Sequence, residues 1–290
     1  MIFLLIFAVL WAAILFPEPA AAWGPATHLY IGKQVLDIIS ANGLSIAPLV
    51  AANPLDFLYG SIFADMSLGK KFFVFARLAH NWRVGFNLLE KAGDDKNRSC
   101  AYGYLAHLAA DTIAHNEFIP RKLVEYYPFK RLTHIYLETA FDALLPHDPS
   151  RETKEIVKVG SANNDDFLGA TLTRTFFSFK TNRRLYRGIL RVNRNNGVIA
   201  FRRWRARNVK AIKQVEVNDT LLKCAETVVD FLKKERASVC YASDPHGKDS
   251  LKQAAKLRKK LREKMRKKRL TKLEIRQALA GIRHSSGPRR

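Results

Sequence analysis

Three metal-ligand side chains spaced four residues apart constrain this chain more than any other feature. His107, Asp111 and His115 lie in the run YGYLAHLAADTIAHNEF, which is otherwise mostly apolar. Residues four apart on an α-helix differ by about 40° around its axis, so the three side chains are predicted to project from one face. A second pair at the same spacing, His134 and Glu138, follows downstream. Because zinc takes imidazole and carboxylate ligands, the pattern indicates a metal site on helices.

The composition is that of a folded protein. The chain has 290 residues, of which 48% are hydrophobic, and this is enough to bury a core and to exclude disorder throughout. Helical periodicity recurs along nearly the whole chain, and no convincing alternating strand is found, so we predict an all-α fold: a compact multi-helix domain. The predicted helices cover residues 27–40, 80–92, 100–116, 131–145, 151–159, 165–190, 196–211 and 215–236.

Positive charge is concentrated at the C-terminal end. The net charge is +23, and residues 248–290 carry 17 Lys and Arg against 3 Asp and Glu. This excess favours anionic partners such as a phospholipid surface or nucleic acid. We therefore divide the chain into residues 1–22, a helical domain over 23–247 and a basic helical tail over 248–290.

The N-terminal segment resembles a secretory signal peptide. An apolar run from Ile2 to Phe16 is followed by Pro17, Pro19 and three alanines that end at Ala22. This run is shorter than the roughly 20 residues that cross a bilayer, so we expect export, to the periplasm or the medium, rather than a retained membrane anchor. Cleavage after Ala22 would make Trp23 the first residue and give it a free α-amine.

The three cysteines do not have the spacing of a zinc knuckle. Cys100, Cys224 and Cys240 are far apart in sequence, and no nucleophilic context surrounds them. One disulfide is compatible with export, most simply between Cys224 and Cys240. The alternative is that all three are buried thiols.

Further ligand-type residues accompany the two helical motifs in a characteristic order. Trp23 precedes a Thr-His helix start at His28, Asp65 ends the segment GSIFAD, and His80 begins the sequence HNW. Followed by the HxxxD and HxxxE motifs, this order resembles that of the zinc-dependent phospholipase C family over Trp23 to about Ala143. The form HLAADTIAH is similar to the branch shared with glycosylphosphatidylinositol-specific phospholipase D.

The resemblance implies three zinc ions on a helical bundle and hydrolysis of phospholipid headgroups by metal-activated water. It also implies that Asp111 bridges two ions and that Asp65 orients or deprotonates the attacking water. The implied ligand sets are Asp65, His80, His107 and Asp111 for one zinc; His115, His134 and Glu138 for a second; and the amine and carbonyl of Trp23 with His28 and Asp111 for a third. The remaining histidines, His147, His246 and His284, are predicted to be ordinary surface residues.

Two other classes of function are compatible with the same residues. The single-strand-specific zinc nucleases share a similar ligand order, and a basic surface suits a polyanion. The short gap between Asp111 and His115 and the presence of Glu138 argue against a nuclease. A non-catalytic membrane-binding protein with a structural metal centre is expected only if a ligand were missing.

Two basic segments are candidate membrane contacts. Residues 174–210 interleave aromatic and basic side chains, and the tail places Leu257, Leu261, Met265 and Leu270 at near-helical spacing. We predict docking on an anionic lipid surface, with the basic side chains at the headgroups and the apolar ones buried in lipid. The alternative for the tail is a solvated helix face and a loose terminus.

Overall fold

The protein is described here by a computed structural model that covers residues 23–64, 80–129, 134–146, 150–171 and 212–285. These residues are predominantly helical, and no strand occurs among them, which confirms the all-α prediction. The α-helices are α1 (Pro25–Ala41), α2 (Ala47–Ala52), α3 (Pro54–Phe63), α4 (Trp82–Lys91), α5 (Asp95–Ile113), α6 (Ile119–Glu125), α7 (His134–Ala143), α8 (Ser150–Thr171), α9 (Gln214–Lys234), α10 (Lys248–Arg266) and α11 (Lys272–Ser285).

Helix α5 is the centre of the fold. Asp94 caps it by accepting a hydrogen bond from the backbone N–H of Asn97 at 2.8 Å. Every residue from Ser99 to Ile113 is buried, because α3, α4, α8 and α9 pack around the helix. A helix buried on all sides places any polar side chain on it away from water. His107 and Asp111 therefore lie in the interior of the protein.

Helices α3 and α5 cross with their backbones in contact at two glycines. A Cβ atom on Gly60 would lie 1.9 Å from the carbonyl oxygen of Cys100, and one on Gly103 would lie 1.9 Å from the carbonyl oxygen of Phe57. No larger residue fits at either position without moving the helices apart. This contact brings the backbone of Ser61, at the end of α3, next to the His107 side of α5.

A π-helical segment, Ala114–Phe118, follows α5 without a break and leads directly into α6. Its wider turn is shown by the backbone N–H of Ile119, which bonds to the carbonyl of Ala114 five residues earlier. The segment carries His115, whereas His107 and Asp111 lie on α5. The predicted helix over residues 100–116 is therefore regular only up to Ile113, and its last turn is widened. That His115 shares one face with His107 and Asp111 stays a prediction.

The basic C-terminal helices pack against the rest of the protein. Helices α10 and α11 contact each other and α6, and Ala254, Leu261, Ala278 and Ile282 belong to the buried core. Within the described range up to residue 285, the tail is thus a packed helical hairpin and not a loose terminus. The boundary at residue 247 remains a prediction.

Some predicted features differ from the structure, and others lie outside the described residues. Helix α8 runs unbroken across the gap predicted between residues 159 and 165, and the ring of Tyr59 packs closely against Gly160. The predicted helix at 196–211 and the aromatic-basic segment at 174–210 are outside the described range.

The three cysteines, Cys100, Cys224 and Cys240, are all free and buried, so the Cys224–Cys240 disulfide is not formed. None of the described helices has the length and apolarity needed to span a bilayer.

Candidate metal centre

Asp111 lies at the centre of a cluster of three histidines. Its carboxylate oxygens are 3.2 Å from Nε2 of His28 and 3.2 Å from Nε2 of His107. Nε2 of His80 is 3.6 Å away. The side chain of Asp111 is fully buried, and the rings of His28 and His107 stack with their centroids 3.7 Å apart. The structure therefore brings together residues from three separate parts of the sequence.

The first turn of α1 holds His28 in this position. Pro25 begins the helix, and the backbone N–H and the hydroxyl of Thr27 both donate to Oδ1 of Asp142 on α7, the N–H at 3.2 Å and the hydroxyl at 2.5 Å. Gly24 packs so closely on this carboxylate that a Cβ atom there would lie 1.8 Å from Oδ2 of Asp142. The N-terminal turn is thus fastened to α7, which carries ligand-type residues of its own.

The hydrogen bond of His107 tests whether this cluster fits a metal ion. Nδ1 of His107 lies 2.8 Å from the carbonyl oxygen of Ser61, and because a carbonyl only accepts, the proton is on Nδ1. In the neutral imidazole, the lone pair of Nε2 then faces the carboxylate of Asp111. Both the Nε2 lone pair and the Asp111 carboxylate are electron-pair donors, and a cation between them would stabilise this buried arrangement. A metal-bound histidine also typically donates its second N–H to a carbonyl, as His107 does. The residues fit a divalent metal.

A second group combines His115, from the π segment, with His134 and Glu138 from α7. Nε2 of His134 lies 2.8 Å from Oε1 of Glu138, and the His115 and His134 rings meet edge to face with centroids 5.0 Å apart. Ligand-type atoms of the three side chains all lie within 4.8 Å of one another, as they do for His28, His107 and Asp111. The chain thus builds two groups of this kind among the residues that the structure describes.

The protonation of both groups suits metal binding. Burial by itself raises the pKa of the Asp111 carboxyl, but positive charge on protonated His107 and His28 outweighs this effect and holds the pKa well below its ordinary value. A bound cation between neutral histidines and the carboxylate would act in the same direction. Burial lowers the pKa of His134 to about 4, against an opposing effect of the Asp111 charge. At neutral pH the carboxylate is therefore ionised and His134 is neutral, which are the forms that coordinate metals.

Two predicted ligands need separate comment. Asp65, the predicted catalytic residue, lies outside the described residues and remains a prediction. Trp23 is fully buried, and its ring packs against Phe118 and Phe141 with centroid distances of 5.1 and 3.9 Å. These phenylalanines belong to the π segment and α7, so Trp23 lies beside the elements that carry the second group.

His246 was predicted to be an ordinary surface residue, but in the structure its side chain packs against a ligand-type histidine. It is only partly exposed, and its ring centroid is 5.4 Å from that of buried His80. Sequence reasoning also missed two carbonyl partners of ligand-type histidines: that of Ser61, which accepts from Nδ1 of His107, and that of Pro245, which accepts from Nδ1 of His115 at 2.6 Å. No sequence signal identifies a carbonyl partner, because every residue has that group.

The fold and these two groups define a helical metalloprotein whose nitrogen and oxygen donors converge beside one buried helix. The family profile described as zinc dependent phospholipase C matches residues 27–186. The chain belongs to this zinc-dependent family, and the prediction of family and of zinc is confirmed. Searches of curated proteins and of solved structures find no match to the chain.

Proposed function

We propose that this protein is an exported zinc-dependent phosphodiesterase that cleaves phospholipid headgroups in the manner of a phospholipase C. Membership of the family supports a hydrolase that acts on phospholipids. The observation that carries the proposal is the position of Asp111, fully buried between His28 and His107 at 3.2 Å each. A carboxylate with nitrogen donors on both oxygens is suited to hold two cations.

We assign the proposed ligands of three zinc ions from the two described groups, together with Asp65 and Trp23. His80, His107 and Asp111 would hold one zinc with Asp65, and His28 and Asp111 another with Trp23. His115, His134 and Glu138 would hold the third. When bound, zinc activates water for attack on phosphorus and neutralises the charge of phosphate oxygens. The hydrogen bonds of His107 to Ser61 and of His115 to Pro245 keep the Nε2 atoms directed at the site.

Export is part of the proposal because it provides a ligand. Removal of residues 1–22 would leave the α-amine of Trp23 free to bind metal. Trp23 is fully buried, and its position beside Phe118 and Phe141 fits a role of the new terminus inside the protein. Asp65 is proposed to orient or deprotonate the attacking water.

The proposal is tested with the mature protein, beginning at Trp23, on three substrates side by side: phosphatidylcholine, a glycosylphosphatidylinositol and single-stranded DNA. We expect hydrolysis of phosphatidylcholine to dominate and to fall to background after treatment with EDTA, because the buried ligand sets would then hold no metal. Product analysis by mass spectrometry distinguishes diacylglycerol, the product of C-type cleavage, from phosphatidic acid.

Adding zinc back to the EDTA-treated protein serves as the control and is expected to restore the rate. Full activity in EDTA contradicts the zinc mechanism. Cleavage of DNA without cleavage of lipid identifies the nuclease alternative. Zinc binding without hydrolysis of any of the three substrates indicates the non-catalytic membrane-binding alternative.

The basic hairpin formed by α10 and α11 is the proposed contact with an anionic membrane surface. Its exposed cations include Lys267, Lys268 and Arg269 at the turn between the helices. Exposed apolar side chains lie nearby in the chain, with Met265 at 39% and Leu273 at 62% relative exposure. The apolar stripe predicted to enter lipid is partly internal, since Leu261 is 3% exposed. Met265 is thus the exposed member of that stripe, and we propose that it faces lipid together with Leu273, which was not predicted.

Charge reversal at this turn is expected to abolish attachment to anionic lipid. We expect the triple variant Lys267→Glu, Lys268→Glu, Arg269→Glu to bind vesicles of phosphatidylcholine with phosphatidylserine at least about 100-fold more weakly, because each basic residue near the surface contributes about 1 kcal/mol. Cosedimentation with the vesicles measures this binding.

A matched control reverses three exposed cations of α4 and α5, namely Lys91, Lys96 and Arg98. This control is expected to bind nearly as well as the unmodified protein. Equal losses in the two triple variants would show that net charge, and not the hairpin surface, governs attachment. Hydrolysis of dispersed short-chain phosphatidylcholine should be unchanged in both variants.

A further inference from the structure

A turn far beyond the family match lies directly against both metal-ligand groups. It comprises residues 243–247, which precede α10, and residues 248–250, which form the first turn of α10, whereas the match ends at residue 186. It contacts the π segment, which carries His115, and the N-terminal end of α4, which follows His80. These contacts suggest that the metal centre depends on a part of the chain outside the family core.

The first contact fixes the ring of His115. Nδ1 of His115 donates a hydrogen bond to the carbonyl oxygen of Pro245 at 2.6 Å, and the bond is buried. This places the proton on Nδ1 and directs the Nε2 lone pair towards His134 and Glu138. A proline carbonyl is available for this bond, and the proline ring restricts the backbone that presents it.

A set of hydrogen bonds fastens the turn to the π segment. Nδ2 of Asn116 donates to the carbonyl of Asp244 at 2.9 Å, and the hydroxyl of Ser250 donates to Oδ1 of Asn116 at 3.0 Å. Within the turn, Oδ1 of Asp244 accepts the backbone N–H of His246 at 3.1 Å. Asn116 is the neighbour of His115 in sequence, so the turn holds the ligand helix at two adjacent residues.

Gly247 makes this close approach feasible. Its φ of +56° lies in the left-handed region, and a Cβ atom there would lie 2.4 Å from the carbonyl oxygen and 2.5 Å from the Cβ of His115. Both the backbone conformation and the space require glycine. Any side chain at this position would push the turn away from His115.

The other end of the turn lies beside the first group. The indole N–H of Trp82 donates to the carbonyl of Ser243 at 2.9 Å, and the ring of His246 packs against that of His80. Trp82 is itself held by stacking on Phe231 of α9, with centroids 4.7 Å apart. One short segment therefore contacts a histidine of each group.

We propose that residues 243–250 form a positioning element of the metal centre, which fixes His115 through the Pro245 carbonyl and supports His80 through His246. The inference rests on the proposed function, in which both histidines bind zinc. Partners that orient metal-bound histidines typically account for 10- to 100-fold in metal affinity. The zinc affinity of this protein is therefore set partly by residues outside the family core.

The test replaces Gly247 by alanine in the mature full-length protein. We expect Gly247→Ala to bind zinc at the His115 group at least about 10-fold more weakly than the unmodified protein. Zinc equivalents after dialysis against a competing chelator measure the affinity. The absorption spectrum of the cobalt-substituted protein reports the geometry of the remaining sites, independently of activity.

Gly43→Ala is the matched control, because Gly43 also has a positive φ, +59°, but no atom lies within 4 Å of its Cβ position. It carries the same backbone strain without the contact to His115 and is expected to keep all its zinc. Unchanged zinc affinity in a folded Gly247→Ala variant overturns the proposal. An unmodified protein that binds no zinc overturns the proposed function instead.

If Gly247→Ala does not fold, the variant His246→Ala tests the positioning role of this segment. His246→Ala removes a partly exposed ring and is expected to fold. An approximately 10-fold weaker zinc affinity in His246→Ala supports the positioning role. Zinc affinity equal to that of the unmodified protein overturns it.

Discussion

Replacing Asp111 by asparagine is expected to remove more than one equivalent of zinc and to lower phospholipid hydrolysis by at least about 1,000-fold. The substitution keeps the shape of the side chain but removes the negative charge that lies 3.2 Å from both His28 and His107. Because the same carboxylate serves both proposed ions, both are affected. A 1,000-fold loss corresponds to about 4 kcal/mol of transition-state stabilisation. Zinc content by atomic emission and initial rates on phosphatidylcholine measure the two effects.

Asp56→Asn is the control for losing a buried carboxylate elsewhere in the core. Asp56 is 4% exposed, and its Oδ1 accepts hydrogen bonds from the side-chain amides of Asn163 and Asn164 at 3.0 and 2.6 Å. Its replacement is expected to reduce stability but to leave the zinc content of the folded protein unchanged. If Asp111→Asn retained the full zinc content, the bridging role would be wrong.

The second large effect is expected at the crossing of α3 and α5. We expect Gly103→Ala to lower the free energy of unfolding by about 3 kcal/mol or more, because the new methyl group would meet the backbone of Phe57, which cannot move aside as a flexible side chain would. Separation of the two helices would also withdraw the Ser61 carbonyl from His107, so weaker zinc binding is expected with the loss of stability. Urea denaturation measures the free energy.

Gly93→Ala provides the comparison, since no atom lies within 4 Å of the Cβ position at Gly93. This variant is expected to change the free energy of unfolding by less than about 0.5 kcal/mol. A Gly103→Ala protein as stable as Gly93→Ala would show that the two helices can separate without cost, and the close backbone contact would then have no role in holding His107.

Local spacing made part of the site predictable. His107 with Asp111 and His134 with Glu138 are each four residues apart, and the helix places their polar atoms 3.2 and 2.8 Å apart. The contact within such a pair depends only on the helix that carries both residues, so the spacing in the sequence is enough to predict it. The all-α fold was predictable on the same ground, since the apolar residues recur with helical periodicity throughout the domain.

Contacts between distant segments were not predictable. The hydrogen bond from His115 to Pro245 joins residues 130 positions apart, and that from His107 to Ser61 joins residues 46 apart. Both use a backbone carbonyl, which leaves no trace in residue type. The position of His246 beside His80 depends on the same packing, because nothing in the residues around it distinguishes a surface turn from one that closes over a buried cluster.

The π-helical segment after α5 has a consequence for how the two groups are related. Continuous helical backbone supplies donors to both, since α5 carries His107 and Asp111 and the widened turn at Ala114–Phe118 carries His115. The number of residues in that stretch fixes the rotation about the helix axis between Asp111 and the residues that follow the widened turn. Shortening it by one would rotate everything downstream by about 100° and detach one half of the centre from the other. Insertions and deletions should therefore be tolerated far less well here than substitutions.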